Sequence, residues 1–262
     1  MPRGPPGPGV KQFLLPSGAA DSGRIRLEGD DAHYLTRVLR LREGDSVAAV
    51  EPGGARAMLH ILRVGPSWCE AAVARTAAVA PTGGAPAVAE IALLQCLPKG
   101  PKMDSIVRQA TEAGVARIVP LLSEHTLLRP GEEGHRIARW QRIAREAMQQ
   151  SGNPRLPLIE EPRPLTAIRD GDWGTGIFFH EVPVGGEGLH ALLAGCTGAV
   201  SVLVGPEGGL SPSEVSFLRE AGFHPAWLGG TVLRVDTAAI AAVAIVRQIL
   251  GERNQWRLTG RQ

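Results

Sequence analysis

Apolar residues follow two different rhythms along this chain, and the change between them divides it. Between residues 13 and 80 they fall in short runs that alternate with polar positions: Arg24-Ile25-Arg26-Leu27, Ser46-Val47-Ala48-Ala49-Val50, Ala57-Met58-Leu59-His60-Ile61-Leu62 and Glu70-Ala71-Ala72-Val73. A two-residue period bounded by turn residues predicts half-buried strands, and the turn Pro52-Gly53-Gly54 fits a small barrel. One helix is expected to interrupt it, from Asp31 to about Leu41. The stretch Pro81-Thr82-Gly83-Gly84-Ala85-Pro86 has the composition of a linker.

From Ala87 onward strands alternate with helices. Ile91–Gln95, Arg117–Leu121, Gly176–His180, Val200–Val204 and Pro225–Leu228 read as strands. Met103–Ala113 is an amphipathic helix ended by Gly114. Glu133–Gln150 is a second, with Ile137, Trp140, Ala144, Ala147 and Met148 on one face. Such alternation predicts an α/β domain with a parallel sheet covered by helices. In sheets of that kind ligands bind beyond the carboxyl ends of the strands.

Composition sharpens this only in places. The chain has 262 residues, 44% hydrophobic and 4% aromatic, so its core is built from Leu, Val, Ile and Ala. No apolar run reaches the roughly 18 residues of a membrane span, so no membrane partner is expected. Cys69, Cys96 and Cys196 are scattered, in neither a metal pattern nor a disulfide frame, and a reducing cytoplasmic setting is the default. The expected organisation is a disordered tail over 1–10, a barrel over 11–80, a linker over 81–87, the α/β domain over 88–253 and a tail over 254–262. Net charge is only +2, but residues 180–250 hold six acids against three bases. The bases gather upstream, at Arg37, Arg40 and Arg42, at Lys99 and Lys102, and at Arg136, Arg139, Arg142 and Arg145. A polyanion would be gripped there, although each cluster could equally be solvated surface.

Two constellations stand out. In the first, the buried run Val200–Val204 enters Gly205-Pro206-Glu207-Gly208-Gly209-Leu210 and then a helix start. Ser211 is placed as its N-cap, Pro212 at the first helical position, and Glu214 closes a capping box. Glycines without Cβ let backbone approach a ligand, yet an ordinary tight connection would read the same way. In the second, Trp227-Leu228-Gly229-Gly230-Thr231-Val232-Leu233-Arg234-Val235-Asp236-Thr237-Ala238, a strand meets a glycine turn and then a helix capped by Asp236. That helix, Thr237–Leu250, is apolar nearly all round, so it is expected to be buried on every side, within the domain or in a subunit interface. Its small residues suit a C2 homodimer.

Together these motifs resemble the RsmE family, 16S ribosomal RNA (uracil-N3) methyltransferases of the SPOUT superfamily. Upstream, His33…Val38-Leu39-Arg40…Gly44-Asp45 resembles that family's PUA-like RNA-binding barrel. Pro98-Lys99-Gly100-Pro101-Lys102-Met103-Asp104 followed by Ala110-Thr111-Glu112-Ala113-Gly114-Val115 resembles its next signature. The resemblance implies a C-terminal trefoil knot, a homodimer, and S-adenosylmethionine held in the knot by the two glycine loops. It carries the cofactor contacts onto Leu203, Gly205, Glu207, Gly208, Gly209, Leu228, Gly229, Leu233, Thr237 and Ala238. No metal is implied. The chain departs from the pattern at His125, where the family usually has an arginine nearby, and at Gln149–Asn153. Asp236 replaces a usual glutamate and Ala113 a usual leucine.

Methylation at N3 of uracil needs that nitrogen's proton lost or shared, in-line positioning, and stabilisation of charge spreading onto the uracil oxygens. Arg234 is the candidate for the last role, or else it pairs with Glu207 or Asp236 to hold the loops. His125 and His180 could share the proton, and Glu181 either contacts ligand or caps a turn. Arg40, Lys99, Lys102 and Arg142 are candidates for the phosphates of 16S rRNA in the small ribosomal subunit. The competing expectation is an RNA-binding, ribosome-assembly protein that keeps the cofactor site but turns over little.

Overall fold

The computed structural model describes residues 12–52, 54–76, 89–126, 133–153 and 155–255. The expected tail over 1–10, the linker over 81–87 and the end of the chain from residue 256 lie outside them. Two compact units emerge. The first comprises the N-terminal residues together with Arg145–Leu156, and the second comprises the rest.

The first unit is one five-stranded sheet. Its strands are β1 (Phe13–Leu14), β2 (Arg24–Glu28), β3 (Ser46–Val50), β4 (Arg56–Val64) and β5 (Trp68–Arg75), in the order β1-β3-β4-β5-β2. Among the described residues β1 and β2 do not pair, so the expected barrel is an open, half-barrel sheet. Alternation along β4 and β5 buries Leu59, Ile61, Cys69, Ala71 and Val73 against Phe13, Leu27 and Leu35. The helix expected over 31–41 is shorter: α1 (Gly29–His33) runs into a single π-type turn, Tyr34–Val38. A second small core joins Leu14 and Val50 to Met148, with Leu156 packed on it. Gln12 donates through its backbone to Gln149 O (3.0 Å) and through its side chain to Met148 O (3.3 Å).

The second unit is an all-parallel sheet covered by helices. In chain order it contains β6 (Ile91–Cys96), α2 (Lys102–Glu112), β7 (Arg117–Leu122), α3 (Glu133–Ser151), β8 (Leu158–Ile159), β9 (Arg163–Pro164), β10 (Thr175–His180), α4 (Leu189–Ala194), β11 (Val200–Val204), α5 (Pro212–Glu220), β12 (His224–Trp227) and α6 (Val235–Gln255); the last turns of α3 count with the first unit. The strand order is β12-β10-β11-β6-β7-β8, with β9 also on β7. Strands β6, β7, β10 and β11 are almost wholly buried, as central parallel strands with both faces covered must be. One face carries Leu94, Cys96, Val119, Leu121, Phe178 and Leu203 against Leu218 and Phe223. Helix α6 packs on α2, α4, β6 and β11.

One expectation about α6 needs correction. Asp236 does not cap it, because the helix starts at Val235 and Asp236 is its second residue. Within the single chain α6 is buried on one side only. Thr237, Ala244, Ile245 and Gln248 are exposed and Ala241 partly so, a stripe at helical spacing, while Ala239, Ala242, Val243 and Val246 are buried. The three cysteines are buried thiols, and among the described residues none forms a disulfide. Among the described residues no helix is long and apolar enough to cross a membrane, and no three His, Cys, Asp or Glu side chains converge as a metal site requires.

Candidate active site

Strands β10, β11 and β12 end side by side along the sheet, and the loops leaving them line an open cavity. Registry sets what meets there: Phe179 pairs with Val204 on β11, and His180 with Trp227 on β12. The walls are Phe179–Glu181, Val204–Glu207, Gly209 and Leu210, then Trp227–Gly229, Thr231–Leu233, Val235 and Ala238.

The first loop is tight because it must turn at once from a buried strand into α5. Gly209 N donates to Pro206 O at 3.0 Å. Gly209 has φ +70°, and a Cβ there would lie 2.6 Å from Glu181 Oε2, so the carboxylate leans directly over the glycine. At Gly205 a Cβ would press on Leu210 at 3.2 Å. Ser211 caps α5 with the reciprocal bonds of a capping box and Pro212 at the first helical position, as its sequence predicts.

Two flanking segments clamp this loop. On one side Glu207 accepts from Lys99 N (3.0 and 3.2 Å) and from Lys102 Nζ (2.6 Å). Partial burial by itself would raise the Glu207 carboxyl's pKa, but these donors and the lysine charge more than offset it and hold it below its ordinary value. On the other side is the turn after β7. Glu124 N donates to Glu214 Oε1 (2.8 Å), and His125 Nδ1 lies 3.2 Å from Gly209 O. A carbonyl only accepts, so this contact requires a proton on Nδ1 and leaves Nε2 of the neutral ring as an acceptor. A Cβ at Gly208 would meet the His125 Cβ and ring at 3.2 Å.

The second loop, Leu228–Arg234, turns on two consecutive left-handed glycines, Gly229 (φ 74°) and Gly230 (φ 70°). It leads into α6, whose first bond runs from Ala238 N to Arg234 O at 2.7 Å. Trp227 and Val232 stand half or more exposed at the rim, at 50% and 78%. Asp236 Oδ1 is a buried acceptor that no described residue satisfies.

The cavity therefore unites seven of the ten residues assigned to the cofactor by resemblance: Gly205, Glu207, Gly209, Leu228, Gly229, Leu233 and Ala238. The other three stand apart from it. Leu203 points into the core, Gly208 faces His125, and Thr237 is on the exposed side of α6. Arg234 is exposed, outside the cavity wall, with no ion pair among the described residues; Glu207 pairs with Lys102 instead. Glu181 lines the cavity, also without an ion pair among the described residues, and His180 Nδ1 accepts from Val182 N at 3.4 Å. Lys99 and Arg142 are exposed in this unit, whereas Arg40 lies on the other unit, exposed, with a left-handed backbone (φ 56°). Sequence reasoning passed over Phe179, Trp227 and Val235 as wall residues. The pairing of β10 with β12 puts the first two there, and only the sheet order reveals it.

Residues 85–247 match the family model for an RNA methyltransferase domain, and residues 27–66 match that for an RNA methyltransferase PUA domain. The ribosomal RNA small subunit methyltransferase E of Synechocystis is 34% identical over 86% of this chain and 73% of its own length. Its counterpart from Mycobacterium bovis is 27% identical over 86% of this chain and 87% of its own. A crystal structure of ribosomal RNA small subunit methyltransferase E from Neisseria gonorrhoeae, bound to S-adenosyl methionine, superposes with a TM-score of 0.80 at 25% identity, covering 93% of this chain and 99% of that one. By sequence, by fold and by the two glycine loops at the sheet edge, this chain belongs to the ribosomal RNA small subunit methyltransferase E family.

Proposed function

We propose that this protein transfers a methyl group from S-adenosylmethionine to N3 of a uridine in 16S ribosomal RNA of the small subunit. The observation that carries the reading is the Gly205–Gly209 loop, open to close approach, with the Glu181 carboxylate, which has no ion pair among the described residues, lying over Gly209 in the wall of a cavity also lined by Leu228, Gly229 and Thr231–Leu233. The residues suit the cofactor chemically. A cleft with apolar walls accepts its adenosine, and a carboxylate without a lysine or arginine partner among the described residues favours a cation. Bound there, the cofactor supplies an activated methyl group on a good leaving group. Gly205, Glu207, Gly209, Leu228, Gly229, Leu233 and Ala238 are the residues that would hold it. Leu203, Gly208 and Thr237 act one step away, by anchoring β11, seating His125 and opening α6.

What the chain must add is orientation and proton handling. His125, with Nδ1–H turned to Gly209 O, would take the N3 proton at Nε2. Arg234 would balance charge on the uracil oxygens. Arg40, Lys99, Lys102 and Arg142 would meet phosphates, which position RNA without reading it. We place the division between an RNA-binding unit and a methyltransferase unit at the 81–87 linker, with C-terminal trefoil threading. The exposed stripe of α6, with Ala241, Ala244 and Ile245, supports a homodimer, and the ribosomal substrate supports a cytoplasmic setting.

The test is to incubate the full chain with labelled cofactor and small subunits from a strain lacking the modification, then map methylated uridines by mass spectrometry. Label at one uridine N3 is the expected result. RNA binding without label would favour the assembly-protein reading, which the departures at His125 and Asn153 motivate.

A further inference from the structure

Glu214 is a buried carboxylate that methyl transfer does not itself require. Helix capping accounts for one of its two oxygens: Oε2 accepts from Ser211 N at 2.9 Å while Glu214 N donates to Ser211 Oγ at 3.2 Å. The second oxygen is used differently. Oε1 accepts at 2.8 Å from Glu124 N, 90 residues away in the chain. A capping box needs neither that bond nor a buried glutamate, since its reciprocal bonds form as readily at a solvated helix end. Glu214 is only 9% exposed, and its charge is felt by the Cys96 thiol, which burial first and this carboxylate second push well above the usual thiol range. Burying a carboxylate is costly unless hydrogen bonds compensate, and here two backbone donors do so.

The residue on the far side of that second bond matters. Glu124 is the second residue of the turn Ser123–Thr126, which is closed by Thr126 N to Ser123 O at 3.0 Å and by Ser123 N to Thr126 Oγ1 at 3.0 Å. The next residue in the turn is His125, and it lies against Gly208 and Gly209. One short turn is thus fastened to the glycine loop and to the helix that follows it, by Glu214 and Ser213 of α5 at one end and by the imidazole on Gly209 O at the other. The same carboxylate also fixes where α5 starts, and so where that loop ends. We propose that Glu214 is a positioning residue of the methyl-transfer site, holding the His125 turn on the Gly208–Gly209 loop and so setting the loop's geometry for the cofactor. This rests on the functional reading above.

The test compares single variants and one double variant of the full chain by calorimetric affinity for S-adenosylmethionine and by thermal midpoint. Glu214→Gln keeps one acceptor and turns an NH₂ group toward a backbone N–H. Losing one hydrogen bond to a charged group of this kind should weaken cofactor binding about 10-fold. Glu124→Pro deletes the N–H that Oε1 accepts, at the second position of a turn, where proline is favoured; it also removes the carboxylate that accepts from Ser213 Oγ at 3.5 Å, so Glu124→Ala, which loses that carboxylate alone and should keep affinity within twofold, is its control. The proline variant should reproduce the loss with the capping box intact, and it keeps the proposal testable if Glu214→Gln does not fold. Ser211→Ala removes the cap hydroxyl alone; it should lower the thermal midpoint and leave affinity within twofold. His125→Ala should weaken binding severalfold in the natural chain but less than twofold on top of Glu124→Pro. Natural affinity in Glu124→Pro, or losses that simply multiply with His125→Ala, would overturn the proposal. A natural chain that takes up no cofactor would overturn both the proposal and the function beneath it.

Discussion

Replacing Gly209 with alanine separates the cavity from its scaffold. Its φ of +70° suits glycine, and an alanine held in that region is strained by about 1–2 kcal/mol. A new Cβ would also lie 2.6 Å from Glu181 Oε2 and 3.1 Å from the carboxyl carbon. What yields is the end of a flexible side chain, so the carboxylate swings out of the cavity while the loop stays. An exposed carboxylate facing a cation belongs at the low end of the ~1.5–3 kcal/mol of a charged hydrogen bond, so affinity should fall about 10-fold. Gly222→Ala is the matched control: φ is +84°, but nothing lies within 4 Å of its Cβ. Both variants should lose about 2–8 °C of thermal midpoint from backbone strain, and only Gly209→Ala should lose affinity for S-adenosylmethionine by titration calorimetry. Equal affinity in the two variants would refute the idea that Glu181 faces the cofactor across Gly209.

The remaining expectations concern charge and assembly. Glu207 has its pKa depressed in the folded state, so its contribution to stability is complete above about pH 5 and is lost as pH falls through the folded value. Lys102→Ala should therefore lower stability by a constant amount above about pH 5 and flatten the acid limb of the stability–pH curve, with the slope above pH 7 unchanged in denaturant titrations. Because Lys102 is already paired with Glu207, Lys99→Ala should reduce the salt slope of RNA binding by about 0.7, the share of one phosphate contact, and Lys102→Ala by less than half as much. Ile245→Glu, on the exposed stripe of α6, should convert a dimer to a monomer in light scattering without lowering the monomer's helical content.

Much of this site is legible in the sequence wherever its chemistry is local. Ser211, Pro212 and Glu214 announce a capped helix by their spacing alone, and Gly114 (φ +79°) ends α2 where a C-terminal glycine should. Contacts that cross the sheet are out of reach. Nothing in the sequence ties Glu207 to Lys102 rather than to Arg234, or places His125 on Gly208, because residues more than 80 apart meet only through strand order. The two-residue strands β8 and β9 are too short for any period to show. Asp236 misleads for a different reason. An aspartate ahead of an apolar run is usually a cap, but here the backbone becomes helical one residue earlier, and the carboxylate turns inward.

Helix α3 limits where the chain can be cut. Its first turns are counted with the second unit, and its last ones with the first. A fragment ending at residue 80 would retain every strand of the N-terminal sheet but lose Met148, Gln149 and Leu156, leaving Leu14 and Val50 bare and Gln12 without its acceptors. Such a piece should be sticky and poorly soluble. In inheritance terms, too, the N-terminal unit is not a cassette that recombination at the 81–87 segment could move intact: part of it is written inside the gene region of its neighbour.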